Sequence, residues 1–291
     1  MREFERFSPE SLDEAAALLM AADSRVAPRA EGTDLIVEVT DSRRSLSIIL
    51  DLKRIPELNR LEYDERQGLR IGSALSLPSI LEFSPVRRLY PIFADASGPG
   101  PPDRGQDWTT LGENLGAGAS GADLAPPLIC LRASAAIFGP HGWSEMAVEA
   151  LYAGVSRPVL QPGEFVVDVR LPAPLPRSNG AYVRAISQDR TRSVVAGVGA
   201  LLVMEPDLTT CCGARLTLGR VTPTPMRALE VERFLSGRLL GDAILNEVGD
   251  VAARNARELS GASGGALDLV KELTHRAIRE ALGRVRGAAT G

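Results

Sequence analysis

The chain has 291 residues, a net charge of −4, 44% apolar and 24% charged residues, the balance of a folded globular protein rather than a disordered or fibrous one. No apolar run approaches the roughly 20 residues that cross a bilayer, and the opening Met1-Arg2-Glu3 lacks a signal-peptide core, so a cytoplasmic protein with no membrane partner is expected. The acidic balance, without a Lys/Arg cluster interleaved with aromatics, argues against a nucleic-acid surface. Cys130, Cys211 and Cys212 lack C-x-x-C spacing, which argues against an iron–sulfur cluster or structural zinc within the chain.

The length predicts more than one compact unit. The chain opens as strand, helix, strand. Ser11-Leu12-Asp13-Glu14 has the Ser-x-x-Glu capping-box pattern ahead of an alanine- and leucine-rich helix to about Ala22, with Leu12, Ala15 and Leu19 at helical spacing. A short strand near Val26 leads into residues 30–35, and Ser47–Leu52 has the β-branched, apolar character of a buried strand. A second unit is expected to begin near Leu61, with a strand at Leu69–Gly72 and a helix near Leu77–Phe83. Between Ser97 and Gly121 the sequence turns rich in Gly, Pro and Asp, a long irregular stretch of the kind that compact domains keep for a use. Asp123 is a candidate N-cap for a helix starting near Leu124, and Ala133–Phe138 and Phe165–Leu171 are predicted strands.

Cys130, inside the apolar Pro127–Leu131, is expected as a small buried hydrophobe. His141, in the turn Gly139–Gly142, and His275, on a C-terminal helix, stand alone and suggest no metal site. The proline-rich Pro172–Pro176 marks a boundary. Beyond it, strands at Gly180–Ile186, Val194–Met204 and Ala214–Gly219 precede helices in a separate α+β domain. Cys211 and Cys212 should point to opposite faces. Leu267, Val270, Leu273, Ile278, Ala281, Leu282 and Val285 share one helical face, which predicts core packing.

Three loops occur in a telling order: Ala30-Glu31-Gly32-Thr33-Asp34-Leu35, Thr110-Leu111-Gly112-Glu113-Asn114-Leu115, and Ala122-Asp123-Leu124-Ala125-Pro126-Pro127-Leu128. They resemble the A-G-G-T-D-L, T-I-G-G-N-L and A-D-L-x-P-x-L segments of the FAD-binding medium subunit of molybdenum hydroxylases, the xanthine-dehydrogenase-like and carbon-monoxide-dehydrogenase-like enzymes. The segments Phe7–Ala15 and Gly219–Ala228, together with the closing helix, extend the resemblance over essentially the whole chain. It implies an α+β, PCMH-type fold like that of vanillyl-alcohol oxidase. Two small α/β subdomains, 1–58 and 59–175, would hold FAD in a cleft, with a C-terminal α+β domain, 176–291, built on a three-stranded antiparallel sheet with helices.

The resemblance further implies FAD contacts at Ala30, Glu31, Gly32, Thr33, Asp34, Leu35, Thr110, Leu111, Gly112, Asn114 and Asp123. In such loops main-chain N–H groups hold the diphosphate, and glycine permits close approach and positive φ. Thr33, Asp34 and Asn114 would add side-chain hydrogen bonds, with Asp123 beside the flavin end. Tyr182, Arg184 and Arg192 match a Tyr-x-Lys strand and a following basic residue; they are expected either to line the cleft or to be ordinary sheet-surface residues. The implied partners are an iron–sulfur subunit and a molybdenum-cofactor subunit.

Two positions depart from the pattern: Glu31 and Glu113 stand where the family has glycine. Residues 98–108 also lack the family's arginine-asparagine-arginine approach. A like-charge pair about 4 Å apart costs roughly 1 kcal/mol in water and about 4 kcal/mol at an effective dielectric near 20. FAD binding therefore requires these carboxylates to turn away from the diphosphate. If they face the cleft, the alternative is a stand-alone, FAD-independent enzyme with Glu31, Glu113, Asp34 or Asp123 as catalytic acid/base candidates acting on a small neutral or cationic substrate. A non-catalytic scaffold subunit is a third reading.

Overall fold

A computed structural model describes residues 5–21, 26–29, 48–97, 110–116, 124–153, 159–186, 194–222 and 224–288. By internal packing the chain forms two units, one of residues 1–83, 99–121 and 133–172 and the other of residues 84–98, 122–132 and 173–291.

The first unit opens with β1 (Glu5–Phe7), α1 (Leu12–Ala21), β2 (Val26–Arg29) and β3 (Ile48–Asp51), whose strands pair in parallel in the order β1-β3-β2. At the start of α1, Ser11 Oγ accepts from Glu14 N at 3.2 Å, as a capping box requires. The returning Glu14 carboxylate lands on Glu10 N at 2.9 Å, one residue before the amide that the pattern predicts. After two short 3-10 turns (Leu52–Arg54 and Pro56–Asn59) come β4 (Leu61–Asp64), β5 (Gly68–Gly72) and α2 (Leu77–Glu82). Two following helices, α3 (Ser84–Leu89) and α4 (Pro91–Ser97), belong to the second unit, α5 (Leu111–Gly116) to the first, and α6 (Ala125–Cys130) to the second. Strands β6 (Ser134–Gly139), β7 (Gly142–Ala147) and β8 (Phe165–Leu171) then complete an antiparallel sheet of order β4-β5-β8-β6-β7.

One core joins both sheets of this unit. Leu12, Ala15 and Ala16 of α1 pack with Leu50, Leu52, Ile55, Leu58, Ala74, Phe138, Phe165 and Val167. Strand β8 shows why: Phe165, Val167, Val169 and Leu171 alternate onto the buried face. Asp168, between them, points to the other face and is fully buried. It accepts from Arg70 Nε (2.8 Å) and Nη2 (2.5 Å) through one oxygen and from Arg170 Nε (2.9 Å) through the other.

In the second unit β9 (Ser178–Ile186), β10 (Val194–Met204) and β11 (Cys211–Gly219) form an antiparallel sheet. A two-residue fourth strand, β12 (Met226–Arg227), extends the three expected ones. It is held by Arg227, which pairs with the nearly buried Glu232 on α7 (Leu229–Leu235); the same carboxylate accepts from Leu216 N at 3.1 Å. Helices α8 (Asp242–Ser260) and α9 (Gly265–Ala288) follow. All seven residues of the predicted apolar stripe on α9 are buried in one core with Ala196, Val198, Ala200 and Leu202 of β10. On the opposite face of β10 and β11, glycines leave room for α6. A Cβ on Gly219 would lie 2.6 Å from Pro126 Cγ, and one on Gly199 would lie 3.0 Å from Cys130 Sγ. Cys211 is buried and Cys212 exposed, as strand alternation predicts.

Candidate flavin site

The second family loop is built on the end of β5. Gly72 is required there because a Cβ would sit 2.2 Å from the carbonyl oxygen of Leu58, and its amide donates to Arg60 O at 2.7 Å. Ser73 N then bonds Val167 O (2.9 Å) and Ala74 N bonds Leu58 O (2.9 Å), fixing residues 73–76 as a shelf. Residues 110–115 lie on it. Thr110 bridges Ser76, Leu111 N donates to Leu75 O at 3.0 Å, and Gly112 N donates to Ser73 O at 2.8 Å. A Cβ on Gly112 would meet Ser73 Cβ and O, each at 3.1 Å. Close approach to Ser73 thus explains this glycine; it does not have a positive φ.

Glu113 closes a second capping box. Thr110 N donates to Glu113 Oε2 at 3.1 Å, and Glu113 N donates to Thr110 Oγ1 at 3.2 Å. Asn114 N donates to Thr110 O at 3.0 Å, so each main-chain amide from 110 to 114 is engaged inside the protein. These are the amides that the resemblance assigns to the diphosphate, and here they bond the protein itself. The signal was present in the sequence, because Thr110-Leu111-Gly112-Glu113 is itself a Thr-x-x-Glu pattern. Thr110 and Leu111 are fully buried, Asn114 nearly so, and Glu113 half-buried. At the far end the buried Tyr152 donates its hydroxyl to Leu115 O at 3.1 Å, and burial pushes its pKa well up.

Ala30, Glu31, Gly32, Thr33, Asp34, Leu35, Asp123 and Arg192 lie outside the described residues. The helix expected near Leu124 is α6, with Leu124 as its N-cap residue and no side-chain cap bond. Within the second unit, Tyr182 and Arg184 on β9 anchor α4. Tyr182 N donates to Asp95 Oδ2 at 3.0 Å and Arg184 Nη1 to Ala96 O at 2.7 Å. Sequence reasoning missed Asp95 and Arg284, which form a two-pronged pair (2.7 and 2.9 Å) completed by Arg284 Nη1 to Gly180 O at 2.8 Å. Among the described residues no group of three His, Cys, Asp or Glu side chains is placed to hold a metal ion, and no helix is long and apolar enough to cross a membrane.

The described part of the candidate site is a turn, residues 110–115, held on residues 73–76. Its shape is set by protein hydrogen bonds, and the Glu113 carboxylate is turned back onto its own turn rather than projecting as an unpartnered charge.

Comparison with known proteins agrees with this layout. Residues 2–174 match the family described as the FAD binding domain in molybdopterin dehydrogenase, and residues 184–282 match the CO dehydrogenase flavoprotein C-terminal domain. The chain is 24% identical over 274 residues to the xanthine dehydrogenase FAD-binding subunit of Escherichia coli O157:H7, covering 92% of this chain and 93% of the other. It is 27% identical over 289 residues to the carbon monoxide dehydrogenase medium chain of Hydrogenophaga pseudoflava, covering 97% and 98%. Among solved structures, the carbon monoxide dehydrogenase from Hydrogenophaga pseudoflava superposes with a TM-score of 0.87 at 22% identity, covering 97% of this chain and 98% of that one. The fold is therefore the PCMH-type α+β flavoprotein fold with its antiparallel C-terminal sheet. The chain belongs to the FAD-binding medium-subunit family of the molybdenum hydroxylases, a family of oxidoreductase subunits.

Proposed function

We propose that this chain binds FAD and, as the medium subunit of a molybdenum hydroxylase, passes electrons between an iron–sulfur partner and an acceptor. The observation that carries the proposal is the second loop. Residues 110–115 are docked on the 73–76 shelf with Glu113 bonded to Thr110 N, so the described departure from the family pattern leaves no unpartnered carboxylate aimed outward. FAD would be held by Ala30, Glu31, Gly32, Thr33, Asp34, Leu35, Thr110, Leu111, Gly112, Asn114 and Asp123. When bound, the flavin supplies the redox chemistry, and the chain supplies position and electrostatics. The shelf fixes the wall and Tyr152 ties its far end.

The relatives support partner subunits, since they are called an FAD-binding subunit and a medium chain. Domains at 1–58, 59–175 and 176–291 and a cytoplasmic location complete the proposal; the family matches break between residues 174 and 184. The alternative acid/base role is disfavoured for Glu113, whose carboxylate is occupied by the Thr110 amide. Purification of the native protein from its own cells tests the partner assignment. The chain should co-elute with flavin, iron and molybdenum in a fixed ratio; a homogeneous species free of both metals contradicts it.

A further inference from the structure

We infer that Glu113 is a positioning residue for the flavin: it holds the turn of residues 110–114 in its final shape beforehand, so that FAD binding does not have to order it. The inference rests on the FAD reading above. Glu113 stands where the family's loop pattern has glycine, yet it does not have a positive φ, so a side chain fits its backbone without strain. Its carboxylate accepts from Thr110 N at 3.1 Å, and its amide returns to Thr110 Oγ1 at 3.2 Å. This box closes around a fully buried Thr110.

The turn needs this support because its local sequence is a poor helix former. Helix α5 has six residues, too few to be stable on propensity alone, and two of them, Gly112 and Gly116, are glycine. A third glycine at 113 would add backbone freedom that ordering must remove. Glu113 acts against this in two ways. Its Cβ narrows the conformations open to the unordered segment, and its carboxylate gives Thr110 N an acceptor within the turn. With Leu111 N on Leu75 O, Gly112 N on Ser73 O and Asn114 N on Thr110 O, the main-chain donors from 110 to 114 are satisfied by the protein alone. A site formed in advance binds more tightly than one that must be ordered on binding. Substitution separates the two effects. Glu113→Gln keeps both the acceptor and the Cβ, Glu113→Ala keeps only the Cβ, and Glu113→Gly keeps neither.

The test is amide hydrogen exchange at residues 110–114 in the flavin-free full chain, wild type and the three variants, with each protein also titrated with FAD. Protection at these amides should hold in Glu113→Gln, fall about fivefold in Glu113→Ala and about threefold further in Glu113→Gly, while the amides of β8 stay protected. FAD should follow the same ranking, binding Glu113→Gln as it binds wild type, Glu113→Ala about fivefold more weakly and Glu113→Gly about fifteenfold more weakly. Rescue by glutamine identifies the acceptor, rather than the charge, as what positions the turn. Equal protection in all four proteins overturns the inference, as does FAD binding that tightens in Glu113→Ala or Glu113→Gly. Reduced protection with FAD affinity equal in all four also overturns it and leaves the FAD reading standing. If FAD binds to none of the four, the FAD reading falls and the inference falls with it.

Discussion

Asp168 carries a carboxylate with no exposed surface into the five-stranded sheet, and its surroundings explain how that is tolerated. Arg70 and Arg170 face each other across β5 and β8, a like-charge pair that the sheet would otherwise penalise. Asp168 accepts from both guanidiniums, and Glu145 binds Arg170 at 3.1 Å from β7. Asp168→Asn should cost about 3 kcal/mol in urea unfolding, the low end for breaking a buried pair because both arginines keep contact with solvent. A loss under about 1 kcal/mol would show the network to be ornamental. Cys130 makes a second residue-scale prediction. Burial pushes its thiol up to about 12, against an ordinary value near 8.5 in the unfolded chain. The unfolded thiol ionises first, so this contribution is full below about pH 8.5 and is lost as pH rises toward about 12. Denaturation series at rising pH should show stability falling over that window, less steeply in Cys130→Ala; equal slopes would refute the assignment. The buried character of Cys130 was readable from its apolar neighbours. The Asp168 network was not, because its arginines lie on partners that only the strand register brings together.

At the scale of elements, the positions that matter most are those where main chain meets main chain. Gly72 ends β5 against the Leu58 carbonyl, a backbone atom that cannot swing away as a side chain does. Gly72→Ala should therefore destabilise by about 3 kcal/mol and loosen the shelf under residues 110–112. Thermal melting with hydrogen exchange at Leu111 and Gly112 checks it, and native-like protection in the variant would contradict it. Elements whose apolar residues recur at a clear period, such as α1, α9 and β8, were legible in the sequence. Strand β7 was not. Its exposed, polar run from Trp143 to Glu145 has no buried alternation, and it exists because β6 supplies its hydrogen-bonding partner. The same holds for β12, two residues long and fixed by the Arg227–Glu232 pair. Helices α3, α4 and α6 join the second unit although they fall within the sequence of the first, a pairing that local pattern does not encode.

For the whole molecule, the ordered loops revealed the family, and the end-to-end match agrees with them. What they concealed was local. The family pattern drew attention to the glycine that Glu113 replaces, while the Thr-x-x-Glu cap formed by the same residues predicts where its carboxylate goes. Two uses of one short segment competed for the reading, and only geometry separates them. The central claim is that the fold still holds its dinucleotide, which the flavin content of purified protein tests most directly. The account predicts yellow protein that releases close to one FAD per chain on denaturation, or flavin-free protein whose melting temperature climbs with added FAD as linkage requires. Colourless protein whose melting temperature does not move in excess FAD would contradict it.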